Sequence, residues 1–190
     1  MWLYFSLFFL ILVVVPVVII FALEPQPLQV LADLGVGWGN YKIGVVLVLA
    51  WLPISMLVSH FTSKNPEMKE YYPFSKKICR SDGSFVLYEI GYILLYYTAW
   101  EFLYRGLLFF PLLSSVGYMP AMAITAALST LHHIGHPKSE ILGALLGGFI
   151  FSFVALLTRS LLYPIALHAM VGVGVDIFVY ARNYRVRSVR

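Results

Sequence analysis

Charge is what this sequence has least of. Asp, Glu, Lys and Arg make up 12% of its 190 residues, about half the share found in ordinary soluble domains. With 61% apolar residues, the chain cannot present a solvated surface around a core of normal size. There is one cysteine, Cys79, which excludes an intramolecular disulfide and any cysteine-based metal cluster. The helix motif H-E-x-x-H is absent, so the common zinc-peptidase signature is excluded. Internal repeats and low-complexity tracts are also missing, and a single membrane-embedded domain over 1–190 is expected. The first residues lack a basic stretch and a small-x-small cleavage site. Their apolar run is therefore expected to be a retained first span with a kink at Pro16, not a removed signal.

What the sequence does have is long apolar runs. Six segments, at about 2–23, 43–60, 84–112, 118–134, 140–157 and 161–181, approach or exceed the roughly 20 residues that cross a bilayer. The expected fold is all-α, a polytopic transmembrane helix bundle of about six spans. The segment 84–112 would make about 43 Å of ideal helix. That exceeds a hydrocarbon core of about 30 Å, so a tilt, a projection or a break at Gly106 or Pro111 is expected. Gly143 and Gly147 form a small-xxx-small pair that marks close helix packing.

The positive charges are unevenly placed. Lys64, Lys69, Lys76, Lys77 and Arg80 lie in the connector 61–83, Lys138 lies between the fourth and fifth spans, and Arg182, Arg185, Arg187 and Arg190 lie in the tail. By the positive-inside rule all of these are cytoplasmic, with both termini, and Lys42 and Arg159 are left outside. The net charge of +4 thus reflects topology and implies no nucleic-acid partner. The bilayer itself is the expected partner.

Ionisable residues within the spans are few: Glu89, Glu101, Arg105, His132, His133, His168 and Asp176. Each charge inside a span costs at least about 2.5–3.5 kcal/mol, so pairing or chemistry must justify it. Glu89 lies near the start of its span and is read as interfacial. His60 and His136 lie at span ends or in loops and are given no role. Glu101 and Arg105 are four residues apart, on one helical face, and can pair. A buried ion pair locking two helices is one reading. The histidines on two other spans point to a second, in which a carboxylate takes a proton from water while histidines position that water and stabilise an oxyanion. A zinc-type ligand set is the alternative use of one Glu and two His. Arg105 beside Glu101 disfavours a second cation there, so no metal or other cofactor is expected.

At these residues the chain resembles the CPBP family, which comprises membrane-embedded CAAX prenyl endopeptidases and bacteriocin-processing enzymes, also called Abi proteins. The family's first motif, Glu-Glu-x-x-x-Arg followed by Gly, is matched by "EFLYRG", with Glu101, Arg105 and Gly106. "HHIGHPKSE" resembles the second motif, His-x-Gly-Lys-Pro-x-x-Glu, and points to His133 and Glu140, with His132 as a competing alignment. "LHAMVGVGVD" supplies the third-motif His168. The similarity covers about 84–181. Three positions depart from the pattern. Trp100 stands for the first Glu, to which the family's water-activating role is usually assigned. Gly172 stands for the Asn four residues after the third-motif His, and His136 replaces Lys. Asp176 is a candidate to supply the polar group missing at Gly172.

The resemblance implies an intramembrane peptidase with Glu101 as general base and Arg105 as its orienting partner. His133 and His168 would position water and bind the oxyanion, with His132, Asp176 and Glu140 in support. The implied substrate is a membrane-associated peptide or protein, and the implied location is the bacterial cytoplasmic membrane. Two other readings stand beside it. One is a non-catalytic family member acting as an immunity or scaffold protein, favoured by Trp100. The other is a small proton-coupled transporter, against which no inverted repeat is present.

Overall fold

The computed structural model describes residues 1–184; the tail arginines Arg185, Arg187 and Arg190 lie outside the described residues. Those residues fold as an all-α bundle without strands. Four helices are long and apolar enough to cross a membrane: α1 (Trp2–Leu23), α3 (Tyr41–Thr62), α7 (Lys138–Thr158) and α8 (Leu162–Asn183). Two shorter helices lie in the connectors, α2 (Pro27–Asp33) and α4 (Pro66–Tyr71). The remaining two predicted spans are α5, which runs over 82–116, and α6 (Tyr118–His132).

In α1 the backbone widens to π register over Leu10–Val14, just ahead of Pro16. Pro16 has no N–H to donate, so the ladder must rearrange around it. Most of the α1 surface faces outward, as a lipid-facing helix requires. Its inner edge carries Phe5, fully buried and stacked on Tyr92 of α5 at 5.3 Å.

α5 does not break at Gly106 or Pro111, contrary to expectation. It stays helical from its Ser81 cap, whose Oγ accepts from the Ser84 N–H, to Gly117 at φ 81°. Instead it loosens twice into π register, over Tyr92–Tyr97 and Phe102–Phe109. Pro111 falls in the first turn of the α-helical stretch that follows, Phe110–Val116. Such π segments recur at functional sites, because they rotate side chains out of the α register. Here they bracket Thr98–Glu101. α5 packs against α1, α6, α7 and α8, so its inward residues reach three predicted spans that carry polar groups.

Between helices, packing depends on small residues and hydrogen bonds, because lipid offers no hydrophobic drive for helices to associate. α3 is pinned along α8 by Ser59 Oγ donating to the Val171 carbonyl at 2.9 Å and Trp51 Nε1 donating to the Leu167 carbonyl at 3.0 Å. The close contact of α6 with α7 is made by Gly148, where an added Cβ would lie 2.7 Å from that of Ala126. The expected pair, Gly143 and Gly147, does not serve this purpose. A Cβ at Gly143 would meet nothing within 4 Å, and one at Gly147 would meet only Phe151 of the same helix. Both glycines line a cavity, where a missing side chain leaves room.

The connector before α3 folds back onto the α7–α8 turn. Asn40 N–H donates to the Thr158 carbonyl at 2.7 Å and Leu161 N–H to the Gly35 carbonyl at 2.9 Å. Gly39 is held at φ +51°, with the Thr158 carbonyl 2.0 Å from where a Cβ would sit. Only glycine fits that approach.

The two glycines of α7 make a direct test. Gly148→Ala should destabilise the bundle by about 1–3 kcal/mol through overpacking. Gly143→Ala should be neutral or stabilising, given a helix-propensity gain of up to about 1 kcal/mol. Thermal unfolding of both variants in detergent checks this, and a reversed order would contradict the packing described.

Candidate active site

The site begins with the charges on α5. Glu101 is fully buried and Arg105 is 1% exposed. Arg105 NH1 donates to Glu101 Oε1 at 3.3 Å, and Nε lies 3.2 Å from Oε2 in ion-pair contact, off the hydrogen-bond line. NH2 donates to the Gly148 carbonyl of α7 at 3.3 Å, and the guanidinium lies over the Phe151 ring at 5.6 Å. Gly148 thus takes part in two contacts, the close approach of α6 at Ala126 and the carbonyl that accepts from Arg105.

α8 supplies the third member. His168 Nδ1 lies 2.6 Å from Glu101 Oε1. A carboxylate only accepts, so Nδ1 carries the proton, and in the neutral imidazole Nε2 holds the lone pair. The imidazole packs between Tyr97 at 4.7 Å and Phe151 at 5.1 Å. Three helices therefore meet in one array, Arg105–Glu101–His168.

This array backs a cavity of about 390 Å³, within the size range of small-molecule and peptide sites. Its wall includes Tyr97, Trp100, Arg105, Ser129, His133, Glu140 and His168, but not Glu101. The expectation that Glu101 itself takes a proton from water therefore meets an obstacle. Its carboxylate lies behind His168 and Arg105, and His168 is the group that reaches the cavity.

His133 and His132 go to different sides of Trp100, because neighbours at a helix end point in directions about a quarter-turn apart. His133 lines the cavity, 4.8 Å from Trp100, with Nδ1 donating to the Ser129 carbonyl at 2.7 Å. Its Nε2 is thereby left as an acceptor. His132 lies against the other side of Trp100, at 4.6 Å, and meets the Tyr104 hydroxyl at 2.9 Å. It is absent from the cavity wall, which His133 lines.

Glu140 enters from the first turn of α7. Its Oε1 accepts from the Tyr72 hydroxyl at 2.6 Å, lies 2.9 Å from His136 Nδ1 and 3.8 Å from His133 Nε2. Burial, and after it the Glu140 charge, hold the Tyr72 phenol well above its ordinary range, so it remains a donor. Sequence reasoning gave His136 and Tyr72 no part here. The replacement of the motif lysine by His136 was the available signal, whereas Tyr72 arrives from a connector that carries no motif.

Two further expectations are corrected. Asp176 does not fill in for the group missing at Gly172. It is fully buried on another part of α8, where it faces Glu89. Glu89 is accordingly no solvent-facing residue: it is 7% exposed and lies within the bundle near Asp176. What occupies the space at Gly172 is Tyr97, whose hydroxyl oxygen lies 1.5 Å from where a Cβ would be. Tyr97 sits one turn before Glu101, and sequence reasoning missed it because an aromatic in an apolar run reads as core. Cys79 carries no chemistry here, since burial pushes its thiol up to about 11 and away from the nucleophilic thiolate.

The array makes one demand on stability. Removing the cation should leave a buried carboxylate unpaired, a loss of about 3–5 kcal/mol. Arg105→Ala should therefore unfold at much lower temperature or fail to accumulate, whereas His168→Ala should accumulate normally. Detergent-phase melting and membrane yield check the contrast.

Residues 83–173, just under half of the chain, match the family model described as type II CAAX prenyl endopeptidase Rce1-like. No curated protein and no solved structure matches the chain. The matched stretch contains α5 from its first turn, α6, α7 and the His168 turn of α8, which supply most of the cavity's polar wall. By its apolar helices the chain is an integral membrane protein, and over the matched stretch it is similar to the Rce1-like family, whose members are intramembrane proteases.

Proposed function

We propose that this protein is an intramembrane peptidase that cleaves a membrane-associated peptide or protein within the α5–α8 cavity. The observation that carries this reading is the Glu101–His168 pair, 2.6 Å apart, buried on the carboxylate side and open to the cavity on the imidazole side. A carboxylate that fixes the tautomer of a histidine makes its far nitrogen a general base. His168 Nε2 takes a proton from water, and the resulting hydroxide attacks the scissile carbonyl. Glu101, held by Arg105, stabilises the imidazolium formed. His168 then returns the proton to the leaving amine.

The other cavity groups take complementary roles. His133 Nε2, an acceptor because Nδ1 is committed to Ser129, orients the water. The Tyr97 hydroxyl stands where the family has an asparagine side chain and donates to the oxyanion. Trp100 separates the His132 and His133 rings and holds the latter toward the cavity. No step requires the first motif glutamate, whose position Trp100 holds.

Substrate reaches the site from two directions. The wall between α3 and α7 is apolar, with Ile54, Val58, Leu146 and Ile150 partly exposed on the outer face, which suits a lipid-embedded segment. The end formed by Tyr72 and Ser139 joins the connector 61–83, which carries five basic residues. With both termini cytoplasmic, in a bacterial cytoplasmic membrane, that end faces the cytoplasm.

A non-catalytic immunity or scaffold role is the second reading, and Trp100 in place of the first glutamate is the observation that favours it. The deciding experiment compares processing of membrane-anchored substrates by wild type, His168→Ala and Glu101→Gln in source membranes, at matched expression. Processing should vanish in His168→Ala and fall roughly a thousand- to ten-thousand-fold in Glu101→Gln. Unchanged processing in both variants would place the scaffold role ahead.

A further inference from the structure

The end of the cavity nearest the connector 61–83 holds a group of side chains that the proposed reaction does not fully use. His133, His136 and Glu140 each offer one ligand atom, and these atoms all lie within 4.8 Å of one another. We propose that they form a binding site for a divalent transition-metal ion of the zinc type.

The distances suit such an ion. With metal–ligand bonds of about 2.0–2.2 Å in a tetrahedron, ligand atoms sit roughly 3.3–3.5 Å apart. Glu140 Oε1 lies 2.9 Å from His136 Nδ1 and 3.8 Å from His133 Nε2, on either side of that spacing. Two imidazoles and one carboxylate are an established zinc donor set, with one position left open for water. The cavity, which both His133 and Glu140 line, is where that position falls.

Three features beyond proximity favour a cation. His133 donates Nδ1–H to the Ser129 carbonyl at 2.7 Å, the arrangement by which metal-binding histidines fix the ligating nitrogen. His133 Nε2 therefore faces the Glu140 carboxylate with a lone pair, an acceptor opposite an acceptor, and a positive centre between them resolves the opposition. Glu140 Oε2 is buried and has no hydrogen-bond partner among the described residues, although Oε1 is steadied by the Tyr72 hydroxyl at 2.6 Å. Metal binding would move the His136 proton from Nδ1 to Nε2 and replace the present 2.9 Å contact with coordination.

The ligands are also preorganised. His133 closes α6, and Gly135 at φ +98° turns the chain so that His136 N–H donates to the His133 carbonyl at 3.0 Å. Pro137 then starts α7, and Glu140 lies one turn beyond His136. The site is distinct from Glu101, where Arg105 already supplies the positive charge.

The test is cobalt binding to the full chain in detergent, after removal of endogenous metal by a chelator. Co²⁺ alone should bind one equivalent per chain, give the intense visible bands of a tetrahedral ion, and be displaced by Zn²⁺. His136→Ala and Glu140→Gln should each weaken binding by about 100-fold or more, and Tyr72→Phe by about 10-fold, the range for loss of a supporting contact. His132→Ala and Glu101→Gln should bind as wild type. Melting curves of the metal-free variants, matched to metal-free wild type, show that the loss is not unfolding. No saturable spectrum in wild type, or unchanged affinity in both His136→Ala and Glu140→Gln, overturns the site. Neither result bears on the peptidase reading, which depends on cleavage by the His168→Ala variant.

Discussion

The structure depends on one buried interaction, the Arg105–Glu101–His168 array at the junction of α5, α7 and α8. Two charges in a lipid-embedded bundle are tolerable only when each has a partner. Arg105 meets this by reaching both the Glu101 carboxylate and the Gly148 carbonyl. That second contact is to the backbone oxygen of Gly148, and the missing Cβ of the same residue lets α6 approach at Ala126. Glu101 in turn draws the His168 edge of α8 toward α5, while Ser59 and Trp51 fasten α8 to α3. The ion array thus sets helix positions as well as chemistry.

The departures from the family pattern look less like losses once the side chains are in place. Trp100 supports two histidine rings on opposite sides, and only His133 reaches the cavity. Gly172 lacks a side chain because Tyr97 brings a hydroxyl to the same space from the neighbouring helix. His136, in place of lysine, adds a second imidazole beside Glu140. Only at Gly172 does a polar group arrive from another element, the Tyr97 hydroxyl of α5.

Much of this was legible in the sequence, for reasons that can be stated. Apolar runs of bilayer length dictate an all-α bundle, because no other backbone satisfies its hydrogen bonds in lipid. Glu101, Arg105 and His168 stand out because ionisable groups there are costly. Other features depended on information that periodicity does not hold. Which of His132 and His133 faces inward follows from the exact turn at which α6 ends. The two π segments of α5 arise from packing against its neighbours and leave no residue signature. Asp176 lies near Glu89 across 87 positions of chain, a proximity that local patterns cannot foresee. Gly143 and Gly147 have the spacing of a packing motif, yet the neighbouring helix approaches one residue further on, at Gly148.

The central claim is that Glu101 holds His168 as the Nδ1–H tautomer with Nε2 turned to the cavity. Nitrogen-15 spectroscopy of histidine-labelled protein, with His168 assigned by its absence in His168→Ala, measures this directly. The account predicts a protonated Nδ1 and a bare Nε2 in wild type, and loss of that preference in Glu101→Gln. A wild-type His168 protonated at Nε2, or a tautomer indifferent to Glu101→Gln, would contradict it.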